Sequence, residues 1–161
     1  MISFKVGKKY SREDIGYVCY PNEGRPKGGD WDTGYARFNN NLIIFMNIGI
    51  PGRTGHDFPN DFNPETNEIT WFGKPNSHAN QPTFKKLLSG ELIPHFFARW
   101  KIGNKFTYLG KGKILQHEDH FFTKEGRTIK VLLRRETQNK CIFLKFFDRF
   151  LRYGHQRHSI E

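Results

Sequence analysis

Apolar and polar positions along the chain fall into short alternating or continuous runs separated by turn residues. Residues 4–10 read as a short strand. Ser11 then caps a single helical turn over 11–15, with Asp14 three residues on to complete the cap, and strand character resumes over 16–20. Residues 21–32 form a Gly-, Pro- and charge-rich loop. Residues 34–38 alternate, 39–41 are a turn signal, and 42–48 are a continuous apolar run. Together these predict a hairpin whose second strand is buried and central. Residues 49–64 read as a second loop, punctuated by Gly52, Gly55, Pro59 and Pro64. A strand follows at 68–72. The spacing of Phe84, Leu87 and Leu88, with Lys85 and Lys86 on the other face and Gly90 beyond, predicts a helix over 81–89. Residues 94–100 are a strand that turns through 101–105 into 106–110, a second hairpin, which 113–116 continue. The last strands fall at 129–135 and 141–144, and Phe146, Phe147, Phe150 and Leu151 lie at helix-like spacing over 145–153.

Many short strands with one or two helices predict an α+β, mainly β architecture: a closed or nearly closed barrel with helical additions. The composition fits a folded chain. Aromatic residues are 16% of the 161 positions, sixteen of them Phe, which is foreign to disordered sequences. No linker or repeat interrupts the chain. The expectation is a single domain over 1–161, with a barrel core at about 4–144 and a basic helical segment at about 145–158.

Charge changes the picture most. The net charge is +10, and residues 124–161 alone hold ten Lys/Arg against four Asp/Glu. A pI near 9.7 is the electrostatic footprint of a nucleic-acid binder. Arg134, Arg135, Lys145, Arg149, Arg152 and Arg157 are placed to contact phosphates as a clamp, in a salt-dependent and sequence-independent way.

Other chemistries are poorly represented. Cys19 and Cys141 are far apart in apolar surroundings and form no C-x-x-C, so they read as buried free thiols rather than a zinc site. His117-Glu118-Asp119-His120 has the residue types for metal or acid–base work, but not the i, i+4 helical spacing of a zinc-protease motif. Neither a nucleophile elbow nor a phosphate loop is present, and no cofactor, bound metal or catalytic activity is expected. The N-terminal residues lack a signal-peptide apolar run and no stretch approaches the ~20 apolar residues of a membrane span, so a cytoplasmic location without membrane contact is expected.

The order of several short motifs carries a resemblance. Gly7-Lys8-Lys9-Tyr10-Ser11-Arg12-Glu13-Asp14-Ile15 fits a G-x-x-Y-x-R-x-x-I pattern. Gly28-Gly29-Asp30 precedes a Tyr-containing strand, Gly34-Tyr35-Ala36-Arg37-Phe38, and an apolar strand from Leu42 to Asn47. Then come Ile69-Thr70-Trp71-Phe72-Gly73-Lys74 running into a polar loop, His95-Phe96-Phe97-Ala98-Arg99, and Phe106-Thr107-Tyr108-Leu109-Gly110. In this order, from about Gly7 to Arg135, the chain resembles the PUA-like (SRA-like) recognition domains of bacterial restriction systems, some fused to HNH nucleases and others ending restriction-associated helicases. The resemblance implies a pseudobarrel that reads duplex DNA, either a short sequence or a modified base such as methylated cytosine, with a nuclease or helicase domain or subunit as a further partner. Gly55-His56-Asp57-Phe58-Pro59 stands where the family carries a Tyr-Gly-Tyr-x-Asp-like pattern, and the loop at 73–80 matches no subfamily, so target specificity does not carry over.

The candidate DNA contacts follow. The loop from Lys74 through Asn76, Ser77, His78, Asn80 and Gln81 carries donors and acceptors suited to base edges, with Lys85 on the helix behind it. Lys8, Lys9, Tyr10 and Arg12, and Arg25 and Lys27 in the next loop, form a second set; Tyr10 and Arg12 alternatively close the barrel as a structural pair. Trp31 with Asp32 and Tyr35 offers the aromatic and carboxylate groups a flipped base needs. Arg149 and Arg152 supply the C-terminal phosphate contacts. Two rival readings stay open: a small metal-dependent nuclease using His117 and His120, and an RNA-binding barrel.

Overall fold

A computed structural model describes residues 1–136 of the chain. The expected strand at 141–144, the helical segment at 145–158 with Arg149 and Arg152, and Cys141 lie outside the described residues.

Strand β1 (Lys9–Tyr10) leads into helix α1 (Arg12–Cys19). A 3₁₀ turn (Gly29–Asp32) precedes the hairpin of β2 (Tyr35–Phe38) and β3 (Asn41–Asn47). Then follow β4 (Asp61–Asn63), β5 (Glu68–Phe72), α2 (Pro82–Leu88), β6 (Ile93–Arg99), β7 (Phe106–Thr123) and β8 (Gly126–Arg135). The hydrogen-bonded order is β2-β3-β6-β7-β8-β5-β4, with β1 added on β7. All pairs are antiparallel except β3 with β6. The 18-residue β7 serves both halves: its first half pairs with β6 and its second with β8. Register shifts against both partners bend it and curl the sheet into a mainly β, mixed pseudobarrel.

The continuous apolar run in β3 has a direct cause. Leu42, Ile44 and Met46 point into one core with Trp71, Phe84, Phe96 and Val131. Ile43 and Phe45 point into a second core with Tyr10, Ile15, Trp31, Phe97 and Tyr108. The strand is therefore buried on both faces, as expected where a parallel partner lies alongside and layers cover both sides.

Three local expectations need correction. Residues 16–20 are not a strand. The capping box at Ser11 forms: its hydroxyl accepts from the Asp14 N–H at 3.0 Å, and the Asp14 carboxylate accepts from the Ser11 N–H at 2.7 Å. The helix then runs on to Cys19 because Gly16, buried in its middle, lets the following loop lie against it; a Cβ there would stand 2.5 Å from Cβ of Arg25. The first strand is only two residues long. The 49–64 segment contains β4, which pairs with β5. Residues 106–116 do return against β6 as the expected second hairpin, and the strand then runs on to Thr123.

The helix expected at 81–89 forms as α2, with Phe84 and Leu87 buried and Leu88 packed partly against the core. Cys19 is buried, and burial pushes its thiol up to about 12. Among the described residues no helix is long and apolar enough to cross a membrane.

Candidate functional site

One face of the pseudobarrel opens into a cavity of about 620 Å³. It lies where the segment around the 3₁₀ turn, the loop between β3 and β4, the end of β5 and the end of β6 meet. Its volume falls within the ~300–1,000 Å³ of small-molecule sites.

One wall is aromatic. Phe58 lies between His56 and Phe72, with centroids 6.2 and 6.4 Å away and near-parallel rings. Tyr35 meets Trp71 edge to face at 5.4 Å. Trp71 and Phe72 are buried, whereas Phe58 is half-buried and His56 exposed. Asn60 fixes this wall: its Oδ1 accepts from the Phe72 N–H at 3.0 Å and its Nδ2 donates to the Asn47 carbonyl at 3.4 Å.

Lys74 stands over Tyr35, its Nζ 4.3 Å from the ring centre and 2.7 Å from an Asp30 carboxylate oxygen. It thus ties the loop after β5 to the 3₁₀ turn. Gly73 makes this approach possible, since a Cβ there would lie 2.8 Å from both Phe84 and Ser77 side-chain atoms. The Thr128 hydroxyl donates to the Gly73 and Lys74 carbonyls at 3.0 Å and holds the loop from behind.

The facing wall is cationic. The Arg12 guanidinium lies 3.9 Å from the Phe45 centroid and donates to the Trp31 and Thr33 carbonyls, both at 2.9 Å. Arg99 lies against Phe106 at 4.4 Å and donates to Asn47 Oδ1 at 2.7 Å. Burial, then the neighbouring charges of Arg99, Arg25 and Arg53, pull Arg12 down to about 10. Burial also lowers Arg99.

The sequence-derived candidates separate into three groups. Arg12, Asp32, Tyr35 and Lys74 line the cavity together. Tyr10, Trp31 and Ser77 are core residues, at most 6% exposed. Direct DNA contact by these three gives way to positioning. The Tyr10 hydroxyl accepts from the Lys5 N–H, Trp31 packs on Tyr20 and Phe45, and the Ser77 hydroxyl meets that of Tyr35 at 3.4 Å. The aromatic-sandwich role expected of Trp31 is therefore unavailable to it. Arg25 is taken up by Glu13 and Asp32, at 2.7 and 2.8 Å. Lys8, Lys9, Lys27, Asn76, Asn80 and Lys85 are exposed and Gln81 half-exposed, none of them lining the cavity.

His78 stacks on His120 at 6.3 Å, and the Asp119 carboxylate accepts from the Ala79 N–H, so β7 braces the loop between β5 and α2. His117 is exposed on β7 opposite Val131. Among the described residues no group of three or more His, Cys, Asp or Glu side chains gathers into a metal-binding cluster.

Sequence reading missed Asn47, Phe58, Asn60, Trp71 and Arg99 as cavity residues. Only the departure of 55–59 from the family pattern and the length of the 49–64 segment hinted at the Phe58 wall.

The family model described as Domain of unknown function (DUF3427) matches residues 4–141. No curated protein matches the chain. Among solved structures, it is similar to the SUVH5 SRA domain in complex with hemi-methylated CG DNA, at 13% identity, TM-score 0.56, and 84% coverage of this chain and 91% of that one. KRYPTONITE in complex with mCHH DNA, an H3(1-15) peptide and SAH matches at 14% identity and TM-score 0.55, over 84% of this chain and 32% of that one. SUVH6 of Arabidopsis thaliana, in complex with SAM, matches at 12% and 0.51, over 83% and 26%. The fold is SRA-like, as the motif order implied.

Proposed function

The chain belongs to the family described as Domain of unknown function (DUF3427), and on that footing we propose that it reads double-stranded DNA by receiving one extruded base, methylated or otherwise modified, in the cavity beside Phe58 and Tyr35. The observation that carries this reading is the cavity itself. A base removed from the stack needs an aromatic surface and polar groups for its edge. The Phe58 ring offers the surface. Lys74, Asn47 and Asn60 bring polar groups to the same space. When Lys74 swings aside, the Tyr35 face becomes a second platform. Two SRA-fold neighbours whose complexes contain methylated DNA support the choice of ligand.

The polar loop from Lys74 to Gln81 then lies beside the cavity mouth, where it reads flanking base pairs. Lys8, Lys9, Lys27 and Lys85, with Arg149 and Arg152, hold phosphates without regard to sequence. The setting is a restriction or defence system, with the nuclease or helicase function supplied elsewhere; this part rests on the motif order from Gly7 to Arg135.

The test is a binding titration at low salt with unmodified, 5-methylcytosine and 5-hydroxymethylcytosine duplexes, and with single-stranded DNA and RNA controls. Duplex binding with a preference for one modified form is expected. Absence of duplex binding overturns the reading. Equal binding to modified and unmodified duplexes removes the base pocket. Divalent-metal-dependent cleavage that is lost in H117A/H120A replaces it with the nuclease.

A further inference from the structure

The cationic wall of the cavity has more charge than its surroundings neutralise. Four cations, Arg12, Arg53, Lys74 and Arg99, line the space against one carboxylate, Asp32. Asp32 is already held by Arg25 at 2.8 Å, and Lys74 by Asp30 at 2.7 Å. Among the described residues neither Arg12 nor Arg99 pairs with a carboxylate.

Both guanidiniums are nonetheless fixed. They sit against the same Phe106 ring, with Arg12 at 5.3 Å and Arg99 at 4.4 Å. Arg12 spends one terminal nitrogen on two backbone carbonyls, and Arg99 spends its Nε on Asn47 and makes a longer Nη1 contact, 3.4 Å, to the Asn104 carbonyl. These bonds are to neutral acceptors, so they orient the groups and leave both positive charges in place. Planar, pre-oriented guanidiniums in a half-buried space favour an oxyanion in two-point geometry. Among the described residues the only counter-charge that acts on Arg12 is Asp32, already paired with Arg25, so holding these cations away from water is costly, and that cost is relieved when an anion enters.

We propose that Arg12 and Arg99, with Arg53 at the rim, form an oxyanion subsite inside the cavity that binds a negatively charged group of the entering nucleotide. The assignment rests on reading the cavity as the base pocket, and it adds a charged contact to the aromatic one. The same chemistry has two sources: the phosphodiester beside the extruded base, or an acidic substituent on the base itself.

The experiment has one arm for the subsite and two for its source. Thermal melting of the full chain is followed as inorganic phosphate replaces chloride at constant ionic strength. A saturable rise in Tm is expected for the wild type, because a ligand that binds only the folded state stabilises it. The rise should disappear in Arg99→Gln and in Arg12→Gln. It should persist in Arg37→Gln, which removes an exposed charge on β2 outside the cavity. No rise in the wild type, or a rise kept in both cavity variants, overturns the proposal. Arg99→Gln keeps the test decisive if Arg12→Gln, which also loses the Trp31 and Thr33 tethers, does not fold.

Duplexes then identify the source. A methylphosphonate beside the modified cytosine should weaken wild-type binding roughly tenfold if the phosphodiester is the ligand, the size of one lost charge-assisted contact. A 5-carboxylcytosine duplex should bind roughly tenfold more tightly than its 5-methylcytosine counterpart if the substituent is the ligand. Either effect should vanish in Arg99→Gln. A phosphate-dependent Tm rise together with equal binding to modified and unmodified duplexes would sink the base-pocket reading while the anion subsite stands.

Discussion

The Lys74 ammonium lies 4.3 Å from the centre of the Tyr35 ring, covering one of its faces. The same group is 2.7 Å from Asp30. One flexible cation thereby covers the Tyr35 ring and joins the loop after β5 to the 3₁₀ turn. Because Asp30 is exposed and Lys74 only partly covered, the ion pair itself contributes little, within the ~0–1 kcal/mol of surface pairs. The arrangement can open at small cost.

Lys74→Ala should therefore leave stability nearly unchanged and alter recognition. It uncovers Tyr35 but removes one of the cations that line the proposed base pocket. The ratio of affinities for modified and unmodified duplexes is expected to fall, and His78→Ala in the same loop should act in the same direction. Replacing Arg149 and Arg152 should instead weaken both duplexes about equally and flatten the salt dependence. Parallel titrations at two salt concentrations separate the two behaviours.

His95 predicts an acid-sensitive core. The ring is 1% exposed, with Nδ1 2.9 Å from the Tyr108 hydroxyl and Nε2 2.8 Å from Asn41 Oδ1. Burial, reinforced by the Lys111 charge, lowers it to about 4 from an ordinary 6.5. The unfolded chain thus binds the proton more readily. Stability is complete above about pH 6.5 and declines as pH falls towards 4, by roughly 3 kcal/mol at most. Urea unfolding at pH 7.5, 5.5 and 4.5 reads this directly, and a midpoint unchanged between 7.5 and 4.5 contradicts it.

Asp14 titrates in a separate, lower window. The Ser11 N–H and then Lys105 hold its carboxyl down to about 2 from 3.8. Its stabilisation is complete above the ordinary value and is lost as pH falls through the folded one. Ser11→Ala breaks the same capping box and is expected to cost about 1 kcal/mol at neutral pH. Because α1 carries Arg12 at its first position, that variant should also weaken phosphate-dependent stabilisation. Melting curves with and without phosphate provide both readings.

Gly73→Ala should be more damaging than an ordinary loop substitution. The added methyl meets Phe84 and Ser77 side-chain atoms at 2.8 Å, inside a wall made of core residues. A loss of about 1–3 kcal/mol is expected from overpacking. The displaced loop should also lose its discrimination between duplexes. A shift in the urea midpoint without a change in slope confirms the first part.

Much of the fold was legible in short segments. The double-sided burial of β3 shows in its unbroken apolar run. The start of α1 shows in Ser11 and Asp14, α2 in Phe84 and Leu87, and the SRA-like order in the motifs from Gly7 to Gly110. The end of α1 was not legible, because Gly-Tyr-Val-Cys has strand-like composition. The capping box and the packing of Arg25 on Gly16 override that propensity. Nor was the length of β7, whose Gly110, Gly112 and irregular pairings bend one strand that sequence alone divides.

The cavity is the part that only tertiary structure decided. Arg12 belongs to α1, Tyr35 to β2, Phe58 to a loop, Trp71 to β5 and Arg99 to β6. No local pattern encodes their meeting, which follows from the parallel pairing of β3 with β6 around the intervening β4, β5 and α2. Side-chain periodicity reports which face of an element is buried. The juxtaposition of those faces depends on long-range contacts, and from them come the oriented arginines, the aromatic wall and the Lys74 cover. Sequence by itself determined a basic, aromatic-rich, mainly β domain with an SRA-like order of motifs; chain crossing determined which of its residues share a site.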